Sequence, residues 1–240
     1  MLQTILDMIY PVRCPVCGGI VVPKGERICG LCRKKLTYIT EPRCKKCGKP
    51  IEQEEKEYCG DCEHKNFQFA RGYCVWVYDD LMKHSVAEFK YHNKKEYAKF
   101  YIQEMVRIYG DTLKKLSFDA VVPVPLHKSR YLARGYNQAD ILARGLGKEL
   151  DIPVISRLLV RNKKTLPQKQ LSDKERLRNL REAFDINQRI LEKNPKERNR
   201  VLLVDDIFTT GSTLEACTNV LKSNGTNEVY FITLCIGKGF

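Results

Sequence analysis

The sequence contains no long hydrophobic run. No stretch approaches the roughly 20 apolar residues that a membrane-spanning helix needs. Residues 1–11 lack the basic leader and the cleavage site of a secretory signal, and they include Asp7. These absences argue against a membrane-spanning protein and predict a cytoplasmic one, while peripheral association with a membrane stays open.

Acidic residues are scarce relative to basic ones. The chain has 42 Lys and Arg against 29 Asp and Glu, which gives a net charge of +13 spread over its whole length. A basic protein favours polyanionic partners such as nucleic acid, phosphorylated substrates or an acidic membrane surface. Lysine-rich faces that are merely solvated are just as common, so the charge does not choose among these partners.

Cysteine is nearly absent from the later part of the chain, since nine of the eleven cysteines precede residue 75. Thiols stay reduced in the cytoplasm, so an odd number of cysteines favours metal ligation over a disulfide framework. The uneven distribution predicts a small module at residues 1–70 and a larger domain at residues 71–240. Hydrophobic residues make up 43% of the chain, enough for a substantial core.

Four Cys-x-x-Cys pairs form an internal repeat with a period of thirty residues. Two such pairs complete a tetrahedral four-cysteine zinc site, and a site with four protein ligands is structural because it has no open position. We expect neighbouring pairs to share an ion, which gives a double zinc ribbon with two zincs; the alternative is a cross-braced arrangement. The predicted ligand sets are Cys14, Cys17, Cys29 and Cys32, and Cys44, Cys47, Cys59 and Cys62.

A short segment near the carboxyl end predicts a binding site. Residues 201–204 are an uninterrupted apolar run, typical of a central parallel strand, and Asp205 and Asp206 follow directly. A hydroxyl-rich turn comes next, and then a helix that ends at Asn224-Gly225. Open α/β sheets bind ligands at the carboxyl ends of their strands, so this turn is the expected site.

The residues of this turn favour a phosphorylated sugar. Successive backbone N–H groups, hydroxyls and a helix N-terminus suit a phosphate dianion, and Gly211 lets it approach closely. Carboxylates repel phosphate and suit sugar hydroxyls or a metal instead. In the alternative interpretation, Asp-Asp merely ends a strand and the turn merely caps a helix. The predicted phosphate ligands are Thr209, Thr210, Gly211, Ser212 and Thr213.

A second polar loop is predicted beside the first. Residues 119–124 form a short apolar strand, a cationic loop follows at 125–130, and a helix is expected at 137–150. This loop should face the same crevice, where its charge suits a diphosphate. The residues concerned are Leu126, His127, Lys128 and Arg130. A basic turn at 90–95 is predicted either to meet phosphate or to be solvated.

The string from Val201 to Thr213 resembles the phosphoribosyl pyrophosphate (PRPP) signature of type I phosphoribosyltransferases. The resemblance implies an α/β fold, with a parallel sheet and helices on both faces, after the zinc ribbon. It also implies that Asp205 and Asp206 hold the ribose hydroxyls as the catalytic pair, while the turn holds the 5′-phosphate. Mg²⁺ is then expected to bridge the diphosphate and the ribose.

Residues 121–127 and 134–139 resemble a narrower group, the ComF-type competence proteins, which join a zinc ribbon to a phosphoribosyltransferase-like domain. Residues between 161 and 184 also match that group's loop, which folds over the active site in type I enzymes. The matching positions are Gln168, Leu171, Arg176, Asn179 and Phe184. The loop is strongly basic, and its predicted site residues are Arg161, Lys163, Lys164, Gln168 and Arg176.

The resemblance implies a role in natural transformation, with binding of PRPP and single-stranded DNA and with DNA-uptake proteins as partners. A conventional nucleobase phosphoribosyltransferase and a non-catalytic PRPP-sensing adaptor are the alternatives. The chain ends shortly after a strand at 229–236, where many nucleobase enzymes carry acceptor-binding residues. We therefore expect an acceptor pocket to come from the amino-terminal segment or from the 157–183 loop.

Overall fold

The computed structural model describes residues 11–162, 183–194 and 198–237. A four-stranded sheet lies at its centre, in the order β1-β6-β5-β2, and all neighbouring strands are parallel. A small antiparallel pair, β3 and β4, lies apart from it. The strands are β1 Gly72–Val77, β2 Ala120–Pro123, β3 Leu159–Arg161, β4 Phe184–Ile186, β5 Arg200–Phe208 and β6 Glu228–Ile236.

Helices lie in the amino-terminal module and between the strands of the sheet domain. They are α1 Gly30–Lys35, α2 Gly60–His64, α3 Asp80–Tyr91, α4 Ala98–Lys115, α5 Lys128–Arg134, α6 Gln138–Leu150, α7 Gln188–Lys193 and α8 Ser212–Ser223, with a 3-10 turn at Lys95–Tyr97.

The central strand β5 explains why helices cover both faces of the sheet. Leu202 and Val204 belong to a hydrophobic cluster that includes buried residues of α3, α4 and α6. Val201 and Leu203 point the other way, into a cluster that includes buried residues of α8. Because successive side chains of a strand alternate between faces, an uninterrupted apolar run fills both cores. The predicted fold class is confirmed.

Two elements extend further than the sequence pattern predicted. β5 continues through Phe208, so the two acids lie inside the strand, because β6 supplies pairing partners as far as Ile236. α3 runs through Tyr91 and takes in the start of the predicted basic turn. The predicted loop at 125–130 contains the start of α5.

The amino-terminal module packs on the sheet domain through backbone and buried polar contacts. Residues 37–39 lie beside β1, where the Ile39 N–H donates to the carbonyl of Val75 (3.0 Å) and the Val77 N–H donates to that of Thr37 (2.9 Å). Glu104 of α4 is only 1% exposed and accepts hydrogen bonds from Arg33 (2.6 Å) and Tyr38 (2.7 Å). The amino-terminal module and the sheet domain therefore pack against each other directly.

Candidate functional site

Two adjacent acids lie at the carboxyl end of β5. Asp205 pairs in register with Thr233 of β6, and its carboxylate accepts a hydrogen bond from the backbone N–H of Asp206 (2.8 Å). Burial and the neighbouring charge of Asp206 raise the pKa of Asp205 to about 7. Asp205 is therefore only partly ionised near neutral pH, because burial and the adjacent charge disfavour its carboxylate form.

Lys90 supplies the balancing charge. Its ammonium lies 2.7 Å from the carboxylate of Asp206, and both side chains are largely buried. Burial lowers the pKa of Lys90, but the attraction of Asp206 outweighs that effect and leaves the pKa above its usual range. Lys90 therefore stays protonated, and the expectation that it belongs to a turn facing phosphate or solvent is wrong.

The loop between β5 and α8 packs against two phenylalanine rings and leads into the N-terminus of α8. Gly211 has a φ of +80°, and a Cβ there would lie 2.8 Å from ring atoms of both Phe208 and Phe67. Gly211 is the N-cap residue of α8 and makes no side-chain hydrogen bond there. The first N–H groups of the helix therefore face the loop without a capping side chain. Thr209 and Thr210 are exposed. This arrangement can accept an anion at the helix N-terminus.

The loop after β2 lies next to that after β5, because β2 and β5 are parallel neighbours. The Val124 N–H donates to the carbonyl of Val204 (2.9 Å), and the Asn137 side chain donates to the carbonyl of Val124 (2.9 Å). The first turn of α5 then presents Lys128 and Arg130 to solvent. The structure thus brings both predicted loops and the acid pair to one edge of the sheet.

His127 and Leu126 take other positions within this loop. The His127 ring caps α5, with Nδ1 3.2 Å from the backbone nitrogen of Ser129 and 2.8 Å from its hydroxyl. Leu126 is half-buried and lines a cleft of about 600 Å³ together with Lys128 and Arg161. Of the four predicted diphosphate ligands, Lys128 and Arg130 are the exposed cations, and their side chains can reach a bound anion.

The predicted flexible loop is described only at its base. Arg161 ends β3, with its guanidinium carbon 5.0 Å from the ring centre of Phe184 on β4. Burial and the nearby charge of Arg130 lower the pKa of Arg161, and the charge of Asp205 also acts on it. Arg161 is therefore close to the acid edge. Lys163, Lys164, Gln168 and Arg176 lie outside the described residues.

The segment 134–139 ties α3 to the loop after β2. Arg134 donates to the buried Gln138 (3.0 Å), and Gln138 donates to the backbone carbonyl of Lys90 (3.4 Å). The Tyr136 hydroxyl donates to the carbonyl of Phe89. These contacts hold the end of α3 beside the acid pair.

Sequence reasoning missed Lys90 as a member of the site. A signal was present, because Lys90 follows Val86 by four residues and so shares the buried face of α3. A lysine on a buried face needs an acidic partner. The pattern could not say that Asp206, more than a hundred residues later, would be that partner.

The cysteines form two separate clusters with neighbouring pairs together. The ligand atoms of Cys14, Cys17, Cys29 and Cys32 lie within 4.8 Å of one another, and those of Cys44, Cys47, Cys59 and Cys62 do the same. The structure groups the cysteines in the two predicted sets, with neighbouring pairs together and not in the cross-braced arrangement.

The chemistry of these clusters fits zinc. Burial and hydrogen bonds from neighbouring thiols raise the pKa of Cys29 to about 11 and that of Cys32 to about 12. Four thiolates this close together repel one another unless a cation lies between them, and a closed tetrahedral sulfur site is typical of structural Zn²⁺. His64 is exposed and belongs to neither cluster, while Cys74, Cys217 and Cys235 are buried free thiols.

Within the described parts of the chain, no helix is both long enough and apolar enough to cross a bilayer.

The curated relatives that resemble this chain carry names connected with competence and DNA use. Competence protein F of Haemophilus influenzae is 43% identical over 111 residues, which cover 46% of this chain and 47% of that protein. DNA utilization protein YhgH of Escherichia coli is 35% identical over 117 residues, 49% of each chain. Competence protein ComFC of Bacillus subtilis is 30% identical over 152 residues, 63% of this chain and 58% of that one. The chain spans about half the length of the first two relatives.

Two family models match, one for each part of the chain. The double zinc ribbon domain matches residues 5–63, which contain both cysteine clusters. The phosphoribosyl transferase domain matches residues 105–239, which contain the acid pair and both loops beside it. The resemblance to ComF-type competence proteins is thereby confirmed. Since the second match covers more than half of the sequence, this chain belongs to the phosphoribosyl transferase domain family, with a double zinc ribbon ahead of that domain.

Proposed function

We propose that this chain binds PRPP with Mg²⁺, and single-stranded DNA, as a cytoplasmic protein of DNA uptake in natural transformation. One observation carries the proposal. The acids of β5, the glycine turn before α8 and the cationic first turn of α5 meet at one edge of a parallel sheet. These three groups suit the ribose, the 5′-phosphate and the diphosphate of PRPP.

Each group of the site takes one part of the ligand. Asp205 and Asp206 accept hydrogen bonds from the ribose hydroxyls. The turn from Thr209 to Thr213 holds the 5′-phosphate with its N–H groups and hydroxyls, and Lys128 and Arg130 attract the diphosphate. Bound Mg²⁺ would neutralise diphosphate charge, with these acids and PRPP oxygens as its available ligands. The acids also favour positive charge that develops on the ribose as diphosphate leaves.

Lys90 must share Asp206 with the ribose. A carboxylate has about four acceptor sites, so Asp206 can keep its ion pair with Lys90 and still accept from a hydroxyl. Lys90 then positions the Asp206 carboxylate, and its charge favours the ionised form of Asp205.

Binding of single-stranded DNA is supported by charge and by the relatives. The net charge of +13 favours phosphate contacts, and Lys128, Arg130 and Arg157 are exposed near the site edge. Competence protein F and YhgH are named for competence and DNA utilization. DNA-uptake proteins are the expected partners.

Calorimetry on the zinc-loaded full chain tests the proposal. PRPP with Mg²⁺ should bind at a single site, and single-stranded DNA should bind with an affinity that falls steeply as salt rises. Titrating PRPP with and without DNA then shows whether the two ligands are coupled. A chain that binds no PRPP, or DNA affinity that is flat between low and moderate salt, would overturn the corresponding half.

A non-catalytic PRPP sensor is the second candidate, and the Lys90–Asp206 ion pair favours it because the ammonium offsets the negative charge that would stabilise positive charge on the ribose. Diphosphate release separates the candidates. Turnover with one nucleobase from a panel indicates a conventional transferase, and tight PRPP binding without turnover indicates a sensor.

A further inference from the structure

Tyr91, at the carboxyl end of α3, presents an open aromatic ring beside the acid pair. The residue is 63% exposed although its neighbour Lys90 is largely buried. Tyr136 and Tyr101, which also pack near α3, are buried in the core. Tyr91 therefore contributes little to the core, and its exposed ring needs another explanation.

A side-chain network holds Tyr91 in place. The Arg134 guanidinium carbon lies 4.7 Å from the centre of the Tyr91 ring, and the same guanidinium donates to the Tyr91 hydroxyl (3.0 Å). Arg134 is in turn bound to Gln138, which is fully buried and also donates to the carbonyl of Lys90. The ring is thus backed by a cation and is fixed before any ligand arrives.

Tyr91 is also connected to the acid pair through its neighbour Lys90. Lys90 precedes Tyr91 and reaches Asp206 with its ammonium. Tyr78, at the end of β1, lies among all of these groups: burial raises the pKa of its hydroxyl, and the charges of Lys90, Asp206 and Tyr91 each act on it. Tyr91 thus follows a residue that contacts the acid pair, and its hydroxyl is linked through Arg134 and Gln138 to the backbone of that residue.

The chemistry of this surface selects an aromatic nitrogen base. Tyrosine rings and arginine planes stack against bases of any sequence, because every base has a π-face. A cation behind the ring adds attraction for the phosphates that accompany a base in a strand. A purely anionic ligand would gain nothing from the face of the ring, and an aliphatic ligand would gain only apolar contact without stacking.

We propose that Tyr91, backed by Arg134, is the stacking platform for a nucleobase next to the acid pair. This deepens the proposed function, on which its biological meaning rests, because it names the class of ligand that accompanies PRPP. The base has two possible sources, a free nucleobase acceptor or a base within single-stranded DNA. Both present the same aromatic face.

The test compares ligands that differ only in their bases. An oligothymidylate and an abasic oligonucleotide of the same length carry the same phosphates, so their difference in affinity reports stacking. We expect Tyr91→Ala to weaken binding of the oligothymidylate about tenfold and to leave binding of the abasic strand unchanged. Tyr91→Phe keeps the ring and should stay within about threefold of the wild type. Fluorescence anisotropy with the full, zinc-loaded chain measures all of these affinities.

Two further variants sharpen the result. Tyr58 is also exposed, at 42%, and lies in the second ribbon, so Tyr58→Ala is the matched control and should not change the ratio of the two affinities. Tyr91→Trp adds an exposed indole to a chain whose single tryptophan, Trp76, is fully buried. If free nucleobases quench the indole fluorescence in the presence of PRPP, the base that stacks on residue 91 is a free acceptor. If only the oligothymidylate quenches it, that base belongs to a DNA strand.

The outcomes separate this inference from the proposed function. If PRPP binds but Tyr91→Ala keeps the wild-type preference for base-bearing strands and neither ligand quenches the indole, the platform is wrong and the PRPP site stands. If PRPP does not bind but Tyr91→Ala loses that preference, the platform stands and the PRPP site is wrong.

Discussion

The two zinc ribbons are copies of one thirty-residue unit, yet they face different surroundings. In the second ribbon Cys44, Cys47 and Cys59 are all buried, whereas Cys17 of the first is exposed. A Cβ on Gly48 would lie 3.1 Å from the backbone oxygen of Gly72, whereas a Cβ on the equivalent Gly18 meets nothing within 4 Å. The second ribbon is therefore built against β1, and the first stands further out.

The outer residues differ in the same sense. Ile20, Val22 and Leu31 of the first ribbon are 53%, 74% and 76% exposed. The equivalent positions of the second ribbon hold Pro50, Glu52 and Asp61, and Asp61 forms ion pairs with two lysines. The two ribbons thus have equivalent cysteine clusters, but the second packs on β1, whereas the first contacts α4 through Arg33 and has an apolar outer face.

The largest effect should come from the buried metal site. Cys47→Ser and Cys17→Ser should each remove one of two zincs, but Cys47 is fully buried, and its carbonyl accepts from the thiol of Cys74 in β1 (3.6 Å). We expect Cys47→Ser to destabilise the sheet domain by about 3 kcal/mol or more. We expect Cys17→Ser to leave the unfolding of that domain nearly unchanged. Zinc content and thermal unfolding measure both, and equal losses of stability would contradict the comparison.

Glu104 anchors the first ribbon, and its neutralisation should have the next largest effect. Glu104→Gln leaves the partly exposed Arg33 and Arg107 beside a neutral amide, so the free energy of unfolding should fall by about 2 kcal/mol. Denaturant unfolding of the full chain checks this value. Exposed Glu63→Gln, in the second ribbon, is the control and should be close to neutral.

The same carboxylate gives a pH dependence. Burial raises the pKa of Glu104, but hydrogen bonds from Arg107, Tyr38 and Arg33 outweigh it and hold the pKa below its usual range. A lowered folded pKa gives stability that is present above about pH 4.3 and is lost as pH falls through the folded value. The wild type should lose more stability than Glu104→Gln over that acid range, and parallel pH profiles would exclude this role.

The buried ion pairs of Glu104 and Lys90 could not be predicted from the sequence. The cysteine ligand sets, the apolar strand at 201–204 and the turn at Gly211 follow from local spacing and composition, and the structure has them as predicted. The partners of Glu104 and Lys90 do not, because they depend on how helices pack against distant segments. Local patterns specify elements, whereas buried ion pairs depend on tertiary contacts.

A smaller effect is expected at Asp61. Lys49 is only 6% exposed and pairs with Asp61 at 2.6 Å, so Asp61→Ala leaves a buried ammonium without this partner. Since Asp61 itself is about one-third exposed, we expect a loss of about 1 kcal/mol. The double variant Asp61→Ala/Lys49→Met should recover most of it. A single variant as stable as the wild type would show that the pair contributes nothing.

The smallest effect should follow from giving the first ribbon a residue of the second. Leu31 is exposed and lies at the position of Asp61 in the repeat, so Leu31→Asp should change the free energy of unfolding by less than about 0.5 kcal/mol. Zinc content should stay at two. A larger loss, seen in denaturant unfolding, would mean that the outer face of the first ribbon is covered in the folded protein.

The central claim is that the acids of β5 hold PRPP while the ribbons serve only structure. The most direct measurement is PRPP titration with Mg²⁺ by calorimetry, on the wild type and on Asp205→Ala/Asp206→Ala, with the zinc content of both. The account predicts binding by the wild type, no detectable binding by the double variant, and two zincs in each. Unchanged PRPP affinity in a double variant that keeps both zincs would contradict it.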